Sequence, residues 1–128
     1  MARFWNTLPF AMRKIIIHSS RGEFRALLRS IIADIATDIR EAHTREALFE
    51  QCRYSHFDIV FTDDERMFMN GSQAIKEICP ATTHPHIFIF SRNMGEDTVV
   101  ALLEMGINQF ITLPFSPRRV IGKIEKTL

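Results

Sequence analysis

Three consecutive acids, Asp63, Asp64 and Glu65, follow directly on the strand-like stretch FDIVFT. Carboxylates are costly to bury unless something compensates them. Acids at a strand's exit therefore belong in a crevice that water, cations or helix N-termini can reach. There a carboxylate can be a nucleophile or a ligand for a hard cation. The other polar groups at strand exits are Ser19 and Ser20, and Ser91 with Arg92. Arg21 follows Ser20 and Arg66 lies in the loop after Asp63, so a guanidinium turned inward from Arg21, Arg66 or Arg92 would supply positive charge there. Ser20, at a helix start, would add backbone N–H groups for an anion. The five histidines show no ligand-like spacing, and Cys52 and Cys79 form no Cys-x-x-Cys pair, so both thiols read as small packed groups in a reducing compartment.

The elements that must position these groups follow from periodicity. Ile15, Ile16 and Ile17 read as a strand covered on both faces. Phe24, Leu27, Leu28, Ile31, Ile32 and Ile35 fall three and four apart, one face of a helix, with Ser20 and Glu23 as its capping box. A short strand is expected over 38–42 and a helix over 44–52 capped by Thr44. Strand 57–62 is followed by helix 71–79, stopped by Pro80. A fourth strand lies within 84–91. Helix 96–105 ends at Gly106, strand 108–112 follows, and Ser116-Pro117 opens a last helix with Val120, Ile121, Ile124 and Leu128 as its stripe. Five strand–helix units in strict alternation predict an α/β fold: an open parallel five-stranded sheet, flavodoxin-like, with helices on both faces. Ligands of such sheets bind beyond the carboxyl ends of the strands.

At 128 residues and a net charge of +1, the chain is sized for one core and carries no excess charge to draw it to nucleic acid or a membrane. No apolar run reaches spanning length, and the N-terminal stretch lacks a signal-peptide centre, so a cytoplasmic protein is expected. Residues 1–13 read as an extension in front of a domain over 14–128. Met12 is an alternative start, and Phe4, Trp5, Leu8 and Phe10 make the extension either a docking tail or a frayed end.

In order along these elements, the chain resembles the receiver domain of bacterial two-component response regulators, the fold of the stand-alone chemotaxis receivers. Asp63 stands where that family carries its phosphoacceptor, at the family's spacing from Gly71. Ser91 matches the hydroxyl residue closing strand four, Phe110 the aromatic switch position, and Leu113-Pro114-Phe115 the family's Lys-Pro-Phe, with a cis bond before the proline. The resemblance implies phosphorelay signal transduction: phosphoryl acceptance at Asp63 from a histidine kinase or phosphotransfer protein, and output by protein contact through the helix 4–strand 5–helix 5 face. The chain would act as monomer or homodimer, with no enzyme activity beyond autocatalytic acceptance.

The departures fall on the chemistry. The family's two metal-holding acids are Ser19 and Ser20 here, and its strand-five lysine is Leu113. That leaves Asp63 and Glu65 as a weak Mg²⁺ site. One charge pair at about 4 Å is worth roughly 4 kcal/mol in a partly exposed site, and each ~1.4 kcal/mol changes a rate about tenfold. Losing a divalent ion and a lysine together therefore removes several decades of rate. The alternative is a phosphorylation-independent pseudo-receiver, a binding module on the same fold. A flavodoxin-like cofactor carrier using HSSRGE as a phosphate cradle ranks far lower.

Overall fold

The computed structural model describes residues 13–36, 38–80 and 84–127. Its strands are β1 (Lys14–His18), β2 (Asp38–Ala42), β3 (Ile59–Thr62), β4 (His86–Ser91) and β5 (Gln109–Thr112). The helices are α1 (Gly22–Ile32), α2 (Arg45–Tyr54), α3 (Gln73–Ile78), α4 (Glu96–Glu104) and α5 (Pro117–Thr127), with a 3-10 turn at Glu65–Phe68. All strand pairs are parallel, in the order β2-β1-β3-β4-β5. Met12, most of the expected extension, and Leu128 lie outside the described residues.

The period of two along the strands divides the core. Ile15 and Ile17, with Ile59, Phe61, Phe88 and Phe90, pack under α1 and α5 through Phe24, Leu28, Ile32, Val120 and Ile124. Ile16, Val60, Ile87 and Ile89 face the other way, against Leu48 and Cys52 of α2, Ala74 and Ile78 of α3 and Leu102 of α4. Both faces of β1, β3 and β4 are thus dry, which is why these strands read as continuous apolar runs. Burial pushes the Cys52 thiol up to about 12, consistent with a packing role for that cysteine.

The expected elements differ from the observed ones mainly at their ends. The helical stripe of α1 is narrower than its sequence pattern: Leu27 is exposed. In α4 only Leu102 is buried, leaving Val100 and Leu103 in solvent. The Ser20–Glu23 capping box does not form. Arg21 occupies the cap position of α1, with no side-chain cap bond. Thr44 does cap α2, accepting from Ala47 N at 3.0 Å, and Ser116 accepts from Arg119 N at the start of α5.

Helix α4 closes as the sequence indicates. Ile107 N donates to Leu102 O and Gly106 N to Leu103 O, both at 3.0 Å, with Gly106 at φ +89°. A Cβ at Gly106 or at Gly122, within α5, would meet no atom within 4 Å. The two glycines thus differ in backbone rather than in space. Gly106→Ala is expected to lower stability by about 1 kcal/mol from left-handed strain, and Gly122→Ala to raise it by a similar ~1 kcal/mol from helix propensity. Urea unfolding of the two variants tests the contrast, which equal shifts of the same sign would overturn.

Candidate functional site

The strand order reverses direction between β1 and β3, the place where open α/β sheets open a crevice. The residues leaving those two strands meet because the pairing is in register, with His18 opposite Thr62. One step further along, Ser19 Oγ donates to Asp63 Oδ2 at 2.8 Å. Ser19 is buried, and its oxygen also accepts from Arg21 N at 3.0 Å. This replaces the capping role expected of the serines: the Ser19 hydroxyl ties the first turn of the β1–α1 loop to the acid on β3.

Arg21 turns inward. Its Nε lies 3.1 Å and its NH2 3.0 Å from Asp63 Oδ2. The Asp63 side chain is only 12% exposed, that of Arg21 42%. The guanidinium also stands 5.3 Å above the Phe24 ring. Phe24 is held in turn by edge-on contacts to Phe90 and Phe115, at 5.2 and 6.0 Å. Arg25 fixes the loop from outside, with NH1 donating to Ser19 O at 2.6 Å and Nε to Glu41.

Asp64 points to the opposite face. Arg45, the first residue of α2, grips it through Nε at 2.7 Å and NH2 at 3.0 Å. Burial pushes the Asp64 carboxyl up, but the Arg45 hydrogen bonds and charge outweigh it and hold the group below its ordinary value. Neither this pair nor the 3%-exposed His18 beneath it was expected from sequence. His18 Nδ1 lies 2.8 Å from Thr62 Oγ1, which also accepts from Asp64 N. His18 is the last residue of β1 and not one beyond it, so it falls outside the strand-exit groups named from the sequence. Its alternation with Ile15 and Ile17 is the signal that places it on the Ile16 face. His18, Ser20, Arg21, His43, Thr44, Arg45, Asp63 and Asp64 together line a cleft of about 380 Å³.

The remaining expected residues are spread around this cleft. Ser91, half-buried, places Oγ 3.5 Å from Glu65 Oε1, a long contact. Phe110 is half-buried against the α2–α4 core. Leu113 packs on the α1–α5 side, and the Leu113–Pro114 peptide is cis, as the resemblance implied. Arg66 and Arg92 are exposed, and neither lines the cleft.

As a donor set the cleft suits a divalent cation poorly. Serines stand where two acids would be needed, and the guanidinium already occupies Asp63 Oδ2. Among the described residues no group of three or more His, Cys, Asp or Glu side chains is placed to hold a metal. The residues present do not fit Mg²⁺.

Burial lowers the His18 pKa from 6.5, against the raising effect of Asp64 and Asp63, with Arg45 and Arg25 adding to the lowering. The folded state thus refuses a proton that the unfolded state takes up. This contribution is complete above pH 6.5 and is lost as the pH falls toward the folded value, at up to about 1.4 kcal/mol per pH unit. His86, also lowered by burial, adds to the same slope. Urea unfolding from pH 7.5 down to about pH 5.5 should therefore show a shallower loss of stability in His18→Val than in the natural protein. Parallel profiles would exclude a neutral buried His18.

Comparisons with known proteins agree with this architecture. The response regulator receiver domain family matches residues 15–125. The chain is 29% identical over 116 residues to the chemotaxis protein CheY of Thermotoga maritima, covering 89% of this chain and 96% of that protein. It is equally similar to the CheY of Bacillus subtilis, covering 90% and 97%. It also matches the response regulator GtcR of Aneurinibacillus migulanus, at 25% identity, but spans only 48% of that protein. Among solved structures, the chemotaxis protein CheY4 of Vibrio cholerae superposes with a TM-score of 0.78 at 15% identity, covering 92% of this chain and all of that one, which shows the shared fold. Among the described residues no helix is long and apolar enough to cross a membrane. With the crevice at the β1–β3 switch, the acid on β3 and the cis-proline loop after β5, the chain belongs to the response regulator receiver domains of two-component signalling.

Proposed function

We propose that Asp63 is the phosphoryl acceptor of this receiver, that a histidine kinase or phosphotransfer protein is the donor, and that the signal leaves by protein contact. The observation that carries this reading is the division of labour between the two aspartates. Arg45 engages both oxygens of Asp64. Asp63 offers one oxygen to Ser19 and Arg21, while its other oxygen has no hydrogen-bond partner among the described residues. A carboxylate held in place through one oxygen, with a lone pair open on the other, is a nucleophile ready for in-line attack on phosphorus.

Phosphorylation brings roughly −1.5 to −2 charges into the cleft. Glu65 is repelled, and Ser91 exchanges its 3.5 Å contact to Glu65 for a charge-assisted bond to the phosphoryl oxygens. The carbonyl of Ser91 accepts from Leu113 N at 2.9 Å, so a shift of Ser91 reaches β5. Phe110 there packs partly buried and can change its depth. The exposed Val100 and Leu103 on α4 supply apolar surface for a partner on the α4–β5–α5 face. Near-neutral net charge favours a protein partner over nucleic acid or membrane.

The second reading, a phosphorylation-independent binding module, is favoured by Ser19, Ser20 and Leu113 standing where the acids and the lysine would be. The two are separated by intact-mass measurement after incubation with phosphoramidate. The natural protein and Asp64→Asn should gain one phosphoryl group, and Asp63→Asn should gain none while keeping its circular dichroism spectrum. An unmodified natural protein would favour the binding module.

A further inference from the structure

We infer that Arg21 takes the place of the divalent cation, so that Asp63 accepts a phosphoryl group without Mg²⁺. The inference rests on Asp63 being the acceptor, as proposed above. Its basis is the position of the guanidinium. Two of its nitrogens share Asp63 Oδ2 with the Ser19 hydroxyl, at 3.1, 3.0 and 2.8 Å. Positive charge and a hydroxyl proton are thus gathered on Oδ2, leaving Oδ1 to attack. A guanidinium carries five N–H groups in one plane and keeps its charge at every relevant pH. Arg21 is 42% exposed, so the N–H groups not spent on Asp63 remain open to phosphoryl oxygens.

The placement is also fixed in advance. The Arg21 backbone N–H is bound to Ser19 Oγ, its head stands over Phe24, and Phe24 is 5% exposed and stacked edge-on against Phe90 and Phe115. Donors held where charge develops lower a barrier without reorganising. The serines complete the exchange: with Ser19 and Ser20 at the end of β1, no carboxylate there helps Asp63 offset the repulsion between a bound dication and the guanidinium.

In the step itself, an Asp63 Oδ1 lone pair forms the new O–P bond. The P–N bond of a phosphohistidine or phosphoramidate, or the P–O bond of an acyl phosphate, breaks, and its electron pair leaves on that nitrogen or oxygen. A departing amine or imidazole nitrogen takes its proton from water. Arg21 gives up no proton in the step; its N–H groups stabilise the phosphoryl oxygens in flight.

The test uses acetyl phosphate and phosphoramidate on the whole chain, in chelator and in Mg²⁺, followed by intact mass. Equal rates of phosphoryl gain in both media are expected, and Arg21→Ala should react about tenfold more slowly or worse in chelator. Gain that requires Mg²⁺ would overturn the inference while leaving Asp63 as acceptor. Absence of gain in both media would overturn both. Unchanged rates in Arg21→Ala would remove Arg21 from the role. A measurement that needs no variant is Mg²⁺ titration by amide NMR: shifts at Ser19, Ser20 and Asp63 should stay flat, and a saturable shift would overturn the exchange.

Discussion

The site depends on the register between β1 and β3. Parallel pairing sets residues 44 apart in sequence side by side, and three hydrogen bonds share that separation: Lys14 N to Asp58, His18 to Thr62 and Ser19 to Asp63. The period of two then sends successive pairs to opposite faces. His18 and Thr62 fall on the side of α2, while Ser19 and Asp63 fall on the side of α1. A slip of one residue would exchange the faces, burying Asp63 where Asp64 now meets Arg45. Side-chain size opposes that slip, because Phe61 packs against Phe88 and Phe90 in one core while the smaller Ile16 and Val60 fill the other. The hydrophobic pattern of the sheet therefore decides which of two adjacent aspartates reaches the open side of the cleft.

The three acids that leave β3 are compensated unequally. Asp64 has a bidentate guanidinium and a nearby Met67 amide, and becomes a structural clamp between the β3 exit and the first turn of α2. Among the described residues, Asp63 has a hydroxyl and a guanidinium on one oxygen only. Glu65 has a single long contact among the described residues, to Ser91. The three thus form a gradient, from locked at both oxygens, through held at one, to loosely held. A carboxylate satisfied at both oxygens resists new bonds, and one left without partners would cost too much at 12% exposure.

The sequence was informative where one local signal decided the outcome. Strand alternation, the Thr44 and Ser116 caps, Gly106 and the Leu-Pro-Phe order are all local patterns, and each appears in the structure. It failed where two local roles competed for one side chain. Ser20 followed by Glu23 satisfies the capping pattern, yet the helix starts a residue later, without a side-chain cap. The winning interaction is non-local: Ser19 reaches across to Asp63, and the loop follows it. Of Arg21, Arg66 and Arg92, only Arg21 has an aromatic ring beneath it and an acid in reach among the described residues, and both depend on tertiary packing that no spacing encodes. The partners of Arg45 and His18 are equally non-local, 19 and 44 residues away, though alternation along β1 does give the face of His18.

The aromatic cluster gives the Arg21 contact a wider consequence. Phe115 follows the cis-proline turn after β5, and its ring lies 5.3 Å from Phe90 and 6.0 Å from Phe24. Phe24 carries the guanidinium that holds Asp63. The loop that would present a lysine to the phosphoryl group in related receivers here presents Leu113, which packs into the same apolar layer. The loop after β5 thus reaches the guanidinium through rings, Phe115 against Phe24 and Phe24 beneath Arg21, rather than through an ammonium group. Rings in edge-on contact at these distances hold orientation well, so displacement of Phe115 with β5 would tilt Phe24 and loosen the guanidinium above it. Packed rings thus run without a break from the loop after β5 to the guanidinium that holds Asp63.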